Sequence, residues 1–361
     1  MENKQKPTSM QPGQAAPFSS VYDLSLDDLK TSINQMMSDD DQSDKPFVTR
    51  SASAWLEHQS NKAAALPLFG ELWFEHELCI LFSDTNIGKS ILAVQIGDSI
   101  AKGEGIAPFT FEADQQTVLY FDFELSGRQF ESRYVDEHKS RYAFSPNLYR
   151  AELNPLLEVP DGFRNFEDYI CHMIEHEVLQ VNATIVIIDN ITYLRTETER
   201  AKDALPLMKQ LKALKEKYSL SILALAHTPK RDKSAPINRN DLQGSKMLIN
   251  FCDSAFSIGE SQKDSSIRYL KQIKQRNTEE LYGEKNVIVY QILKPDNFLH
   301  YRHIGFSSEW DHLKQRTDED DDERNTQIFQ LHQKGFSLRE IGKELNVSHQ
   351  TVGRILKNLK D

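Results

Sequence analysis

Three cysteines in 361 residues are too few and too scattered to build a disulfide framework. Cys79, Cys171 and Cys252 sit in apolar or helix-like surroundings, with no CxxC and no metal-ligand spacing. They indicate a reduced, cytoplasmic chain. Long hydrophobic runs are missing too: none approaches a membrane span, and the opening MENKQKPTSMQPGQAAPFSS has no apolar h-region. We therefore expect neither secretion nor a membrane partner. An excess of positive charge is also lacking, because the net charge is −11. Nine acids are concentrated in residues 39–41 and 318–323, however, and the rest of the chain balances to −2. Residues 324–361 set seven Lys/Arg against three acids. A basic tail behind an acidic stretch fits nucleic-acid binding better than the average charge does. The 39% of hydrophobic residues suffices for one large α/β domain plus a small one.

A glycine is missing from the stretch that organises the chain, residues 80–90 (ILFSDTNIGKS), where Ser83 replaces the first Gly of GxxxxGK[ST]. That Gly eases a tight turn without touching phosphate, so a small residue substitutes. The pattern predicts a buried strand over 78–82, a loop over 83–87 and a helix opening at Gly88. Ser83, Asp84, Thr85, Asn86, Ile87, Gly88, Lys89 and Ser90 would cradle the phosphates of ATP on backbone N–H groups at the helix start. Lys89 would reach the β and γ phosphates, and the Ser90 hydroxyl would ligate Mg²⁺.

Residues up to about 45 are rich in Ser, Gln, Pro and Asp, which predicts mostly disorder with one amphipathic helix over 26–37. Trp55, Leu56 and residues 66–74 are expected to lead into the first strand and cover the base side of the nucleotide. The run 117–123 (TVLYFDF) is of strand length and ends at Glu124. A carboxylate there suits activation of water against a γ-phosphate, the alternative being a surface Glu at a strand end. Residues 138–182 predict a loop through Pro155 and Pro160, then a helix over 163–178. The run 183–189 (ATIVIID) has the continuous apolar character of a buried parallel strand and ends in Asp189, placed to bind Mg²⁺ opposite Ser90.

Residues 205–218 predict a helix, and 219–226 a further buried strand ending at His227. A polar side chain there senses the γ-phosphate and passes its state to the following loop. That loop, 228–246, carries Lys230, Arg231, Lys233, Arg239 and Lys246 against Asp232 and Asp241. It either serves a ligand or is simply solvated. Strand patterns follow at 254–258, 267–273 and 286–292, the middle one leading into Lys274-Gln275-Arg276-Asn277. Alternation puts Lys274 and Arg276 on one side, as a solvent face or as a pair reaching a phosphate in a neighbouring subunit.

Together these motifs resemble the RecA-like ATPases, and within them the DnaB and RepA type of replicative helicase, over roughly residues 70–305. SDTNIGKS is similar to the DnaB phosphate loop, which also has a small residue in place of the first Gly. FELSGRQFESR resembles the segment holding the catalytic Glu, which implies that Glu124 activates water. IIDN and LALAHT are similar to the Mg²⁺ Asp and the sensor strand, implying those roles for Asp189 and His227. KQRN matches the stretch whose Lys and Arg act across the subunit interface, implying a trans-acting pair in Lys274 and Arg276. The resemblance also implies that the loop with Leu242, Gln243, Gly244, Ser245 and Lys246 lines a central channel and touches single-stranded DNA, with Lys230 and Arg231 earlier in the same loop. An active site shared across subunits implies an oligomer, expected to be a hexameric ring. No N-terminal helical collar is recognisable, and the chain is closer to compact RepA-like ATPases of plasmids and Bacteroides-type mobilizable elements.

In the tail, Leu338, Ile341, Leu345, Val347, Val352 and Ile355 fall at core positions of a helix-turn-helix, with Gly342 at the close helix contact and Asn346 in the turn. Ser348 caps a second helix whose residues His349, Gln350, Thr351 and Arg354 would face a major groove of duplex DNA. The alternative is a three-helix protein-docking module. We therefore expect an α/β protein with a RecA-like P-loop core, a mainly parallel central sheet flanked by helices, and a small all-α helix-turn-helix domain. The expected segments are a disordered 1–48, an ATPase domain 49–312, an acidic linker 313–323 and a DNA-binding domain 324–361. The expected activity is an ATP-driven helicase or translocase acting in replication or mobilisation of a mobile element. The alternatives are an ATP-dependent DNA-binding regulator or recombination accessory factor without unwinding activity, and an assembly ATPase whose tail binds protein.

Overall fold

A computed structural model describes residues 47–60, 63–154, 156, 159–194, 204–229, 231–242, 245–315, 318–345 and 347–358. The expectations for residues 1–46, for Lys230 and for Asn346 lie outside the described residues. Helix α1 (Ala52–Ser60) belongs to a separate unit, residues 1–64, and buries none of its side chains, Leu56 being largely exposed.

In the second unit the strands are β1 (Leu78–Ser83), β2 (Val118–Asp122), β3 (Leu148–Glu152), β4 (Ile185–Asp189), β5 (Ser221–His227), β6 (Ser254–Glu260), β7 (Ile267–Lys274), β8 (Val287–Leu293) and β9 (His300–Ser307). They form one sheet in the order β3-β2-β4-β5-β1-β6-β7-β8-β9. The block from β3 to β6 is parallel, and β7, β8 and β9 continue it antiparallel. Every residue of β1, β2 and β4 is buried, as a sheet covered on both faces requires.

Helices α2 (Lys89–Lys102), α3 (Gly127–Arg133), α4 (Phe166–Val181), α5 (Ala204–Tyr218) and α6 (Ser245–Phe251) connect the parallel strands. Ile170, Ile174 and Val178 of α4 and Leu207, Met208 and Leu211 of α5 bury one sheet face. Leu92, Val94, Ile96 and Ile100 of α2 bury the other, together with Leu68, Phe69, Leu72 and Trp73. The last four correct the expected role of residues 66–74, which are core rather than a cover for a base. The carbonyl of Glu71 accepts from Gln272 and Gln275, at the sheet edge where β1 begins.

Strands β3 and β9 were not expected. Both are sheet edges; β3 has no fully buried residue and β9 exposes alternate residues, so neither shows the unbroken apolar run that marks the buried strands.

The tail forms α7 (Asp318–Gln333), α8 (Leu338–Glu344) and α9 (His349–Asn358). The acidic run is therefore helical and opens α7, which corrects the expected linker over 313–323. Ile328, Ile341, Val352 and Leu356 are the buried core of this module, with Leu345, Val347 and Ile355 packed around them. Leu338, expected inside, is 38% exposed, and α7 supplies Ile328 in its place. Ser337 and Glu340 form a reciprocal capping box at the start of α8, worth about 1 kcal/mol. A Cβ on Gly342 would stand 2.6 Å from the Val347 carbonyl, so the turn closes only over glycine. Among the described residues no helix is long and apolar enough to cross a membrane.

Candidate nucleotide site and DNA-binding module

The parallel register brings four strand ends to one edge of the sheet. Ser83 of β1 lies opposite His227 of β5, and Asp122 of β2 opposite Asp189 of β4. This is the edge at which α/β sheets bind ligands.

Helix α2 begins at the loop after β1. Its N-cap is Gly88, at φ 106°, and no side chain caps the helix. The first-turn N–H groups therefore stay available to an anion. A Cβ on Gly88 would approach the Tyr301 hydroxyl at 2.7 Å and Ile292 at 2.9 Å, so both conformation and space require glycine. The preceding carbonyl, Ile87 O, accepts from Arg268 Nε at 2.8 Å and from the Tyr301 hydroxyl at 3.1 Å. Two antiparallel strands thus brace the loop from behind.

Lys89 is buried, and its ammonium lies within 3.3 Å of Ser83 O, Ser83 Oγ, Asp84 O and His227 Nδ1. An ammonium has three protons for these four acceptors. Burial pulls the Lys89 pKa down to about 8, against the pull of Asp189, Glu124 and Asp84. An ammonium only donates, so His227 Nδ1 accepts and Nε2–H points to Glu124 Oε1, 3.0 Å away. The hydrogen bond from His227 chiefly holds the Glu124 carboxyl below its ordinary range, and one from Asn190 adds to it.

Asp189 is fully buried. Its Oδ2 accepts from the Tyr120 hydroxyl at 2.5 Å, and its Oδ1 has no well-formed hydrogen bond among the described residues. Burial raises its pKa to about 6, with the neighbouring Ser90 and Tyr120 hydroxyls pulling the other way. An orphaned carboxylate oxygen beside a serine hydroxyl is a hard-oxygen pair suited to a hydrated Mg²⁺.

Several groups here carried no sequence signal. Asn190 Nδ2 donates to Glu124 Oε1 at 2.5 Å, and its amide is oriented by Thr192 N, which donates to Oδ1 at 2.7 Å. Asp122 Oδ1 accepts from Glu124 N and Leu125 N, while Arg150 binds its other oxygen at 2.9 Å. Glu124 thus leaves a turn fixed from three sides. Gln129 has a structural task, closing a capping box with Ser126 at the start of α3.

The remaining expected site residues are dispersed. Arg231, expected on a DNA-facing loop, turns inward: its Nε is 3.9 Å from Asp84 Oδ2 and its Nη1 donates to Ala235 O at 2.9 Å. Two acceptors inside the protein outcompete solvent for its guanidinium. Lys246 lies in α6, but its side chain is outside the described residues. Lys274 pairs with Ala255, three residues before the phosphate-loop end of the sheet, and β7 runs away from that end. Its ammonium donates to Ile249 O at 2.5 Å and Cys252 O at 2.6 Å, closing the end of α6. Arg276 binds Asp253 at 3.3 Å and is half exposed. Neither cation reaches its own chain's phosphate loop. In the tail, His349, Gln350 and Arg354 are exposed on α9, and Ser348 Oγ caps Thr351 N at 3.0 Å.

A glycine-capped helix carrying a buried lysine, with acidic and polar residues at adjacent parallel strand ends, defines a P-loop nucleoside triphosphatase. The chain belongs to the family whose model is described as an AAA domain, which matches residues 32–233, more than half of its length. A second family model, described as a helix-turn-helix domain, matches residues 320–358. No curated protein matches the chain. It is an AAA-type ATPase with a helix-turn-helix DNA-binding domain.

Proposed function

We propose that this ATPase is a DNA translocase or helicase of the DnaB/RepA type, assembled as a ring of six copies and serving replication or mobilisation of a mobile element in the cytoplasm. Residues 83–90 hold the triphosphate, with Lys89 on the β and γ phosphates. Ser90 and Asp189 hold Mg²⁺, which supplies charge neutralisation on the phosphates. Glu124 keeps Oε1 on His227 and Asn190, and presents Oε2 to the attacking water. His227 stands where loss of the γ-phosphate alters its bond to Lys89. The segment that opens α6, with Lys246, would serve single-stranded DNA, and His349, Gln350, Thr351 and Arg354 address a duplex.

The observation that carries this reading is the position of Lys274 and Arg276. Both lie at the sheet edge opposite the phosphate loop, so a catalytic role for them requires a second copy, and closure of such head-to-tail contacts gives a ring. The test is ATP hydrolysis without DNA, with single strands and with duplex, alongside light scattering and unwinding of a forked duplex. Stimulation by single strands in a ring-sized particle that unwinds the fork is expected. Slow hydrolysis indifferent to single strands, with no unwinding, overturns it. That outcome leaves an ATP-dependent DNA-binding regulator, a reading favoured by the exposed face of α9.

A further inference from the structure

The loop after β5 touches the nucleotide site at one end and the tether of the DNA-binding module at the other. Asp84 of the phosphate loop is held by the Thr228 hydroxyl and by Arg231, while Thr228 N donates to Ser83 O at 3.0 Å. Arg231 in turn closes a compact turn: it binds Ala235 O, and Ser234 donates its N–H and hydroxyl to Asp232 Oδ1 at 2.9 and 2.6 Å. The turn's outer side meets residues 309–315. Lys314 N donates to Lys233 O at 3.1 Å, and Ile237 N donates to Glu309 Oε1 at 2.7 Å. Lys271 seals the join, binding Ile237 O at 2.7 Å and Glu309 Oε2 at 2.5 Å, with both charged groups buried.

Between turn and segment lies a cleft of about 450 Å³, lined by Pro236, Trp310, Leu313 and Lys314 among others. It gives the outer half of the join room to shift. Only residues 316 and 317 separate this segment from α7.

We propose that residues 228–237 couple nucleotide occupancy at the phosphate loop to the duplex affinity of the helix-turn-helix, through the clamp of Lys233 and Ile237 on residues 309–314. Lys89 has four acceptors for three protons, and reaching a phosphate means giving up contacts at Ser83, Asp84 or His227. All three residues adjoin the turn, His227 by sequence and Ser83 and Asp84 through Thr228. The displacement then passes to Glu309 and to Lys314, which lies four residues before α7 begins. By reciprocity, duplex bound to α9 changes nucleotide affinity by the same factor. The inference rests on nucleotide binding at Lys89 but not on translocation, so a chain that binds nucleotide and fails to unwind still tests it.

The experiment uses the full chain, a fluorescein-labelled 40-base-pair duplex, and the non-hydrolysable analogue AMP-PNP with Mg²⁺. AMP-PNP is expected to change the duplex Kd by about fivefold or more, and to change Trp310 fluorescence, read as the signal that Trp310→Phe removes. A variant with six Gly/Ser residues inserted after Gln315 is expected to bind AMP-PNP as before while its duplex Kd shifts less than about twofold. An unchanged duplex Kd in the native chain overturns the proposal. So does an equal shift in the inserted variant, which would assign the effect to assembly of several chains.

Discussion

The ammonium of Lys89 lies 3.0 Å from Nδ1 of His227, on the ring whose other nitrogen holds the carboxylate of Glu124. The group we propose to meet the phosphate and the one we propose to direct the water are thus joined through one imidazole. Replacing it uncouples them. We predict that His227→Ala retains ATP binding within a few-fold, loses about tenfold or more in kcat, and no longer responds to DNA. Steady-state hydrolysis with and without single strands checks this, and an intact DNA response would remove His227 from the pathway.

Glu124 and Lys89 separate turnover from binding. Glu124→Gln keeps the hydrogen bonds at Oε1 and removes the base, so hydrolysis falls by about a hundredfold or more while ATP affinity holds. Lys89→Ala loses both. Asn190→Ala is expected to lower kcat with little change in KM, since its amide is committed to Glu124 and Thr192. A rise in KM at constant kcat would assign Asn190 to binding instead.

Nucleotide affinity follows a bell between two buried groups. Burial raises Asp189 to about 6, so below that pH a proton competes with Mg²⁺ for its carboxylate. Burial lowers Lys89 to about 8, so above that pH the free site sheds the charge that would meet the phosphates. Fluorescent ATP titrated with Mg²⁺ from about pH 5 to 9 should bind tightest between the two values, each limb approaching tenfold per pH unit. A flat profile would show that neither group limits binding.

Arg276 is half exposed and bonded to Asp253, so Arg276→Ala should fold normally and lose hydrolysis only if its side chain serves a neighbour. Mixed with Lys89→Ala protein it then regains part of the native rate, because some interfaces pair an intact loop with an intact arginine. Activity no greater than the sum of the two separate variants would place the whole site within one chain.

The parts legible in the sequence were those that a buried strand delivers. LCILFS, VLYFD and IVIID are uninterrupted because both faces are covered, and the turn chemistry at Gly88 needs no distant partner to be recognised. Arg150, Tyr120 and Asn190 were silent because each acts on a residue brought near by strand pairing, which no local pattern records. Arg231 shows a second limit: a cation in a charged loop reads as solvent-facing until Asp84 and Ala235 O are placed beside it. The acidic run misled for a related reason, since six consecutive acids look like a spacer whether or not they open a helix.

The brace behind the phosphate loop bears on how the protein is made. Ile87 O is held by Arg268 and by Tyr301, and Gly88 is fitted against that same tyrosine. A nascent chain emerging from the ribosome displays Lys89 long before it owns Tyr301, so the glycine-lysine-serine signature arrives without its seat. The phosphate loop of such a chain lacks its tyrosine brace until 214 further residues have been made.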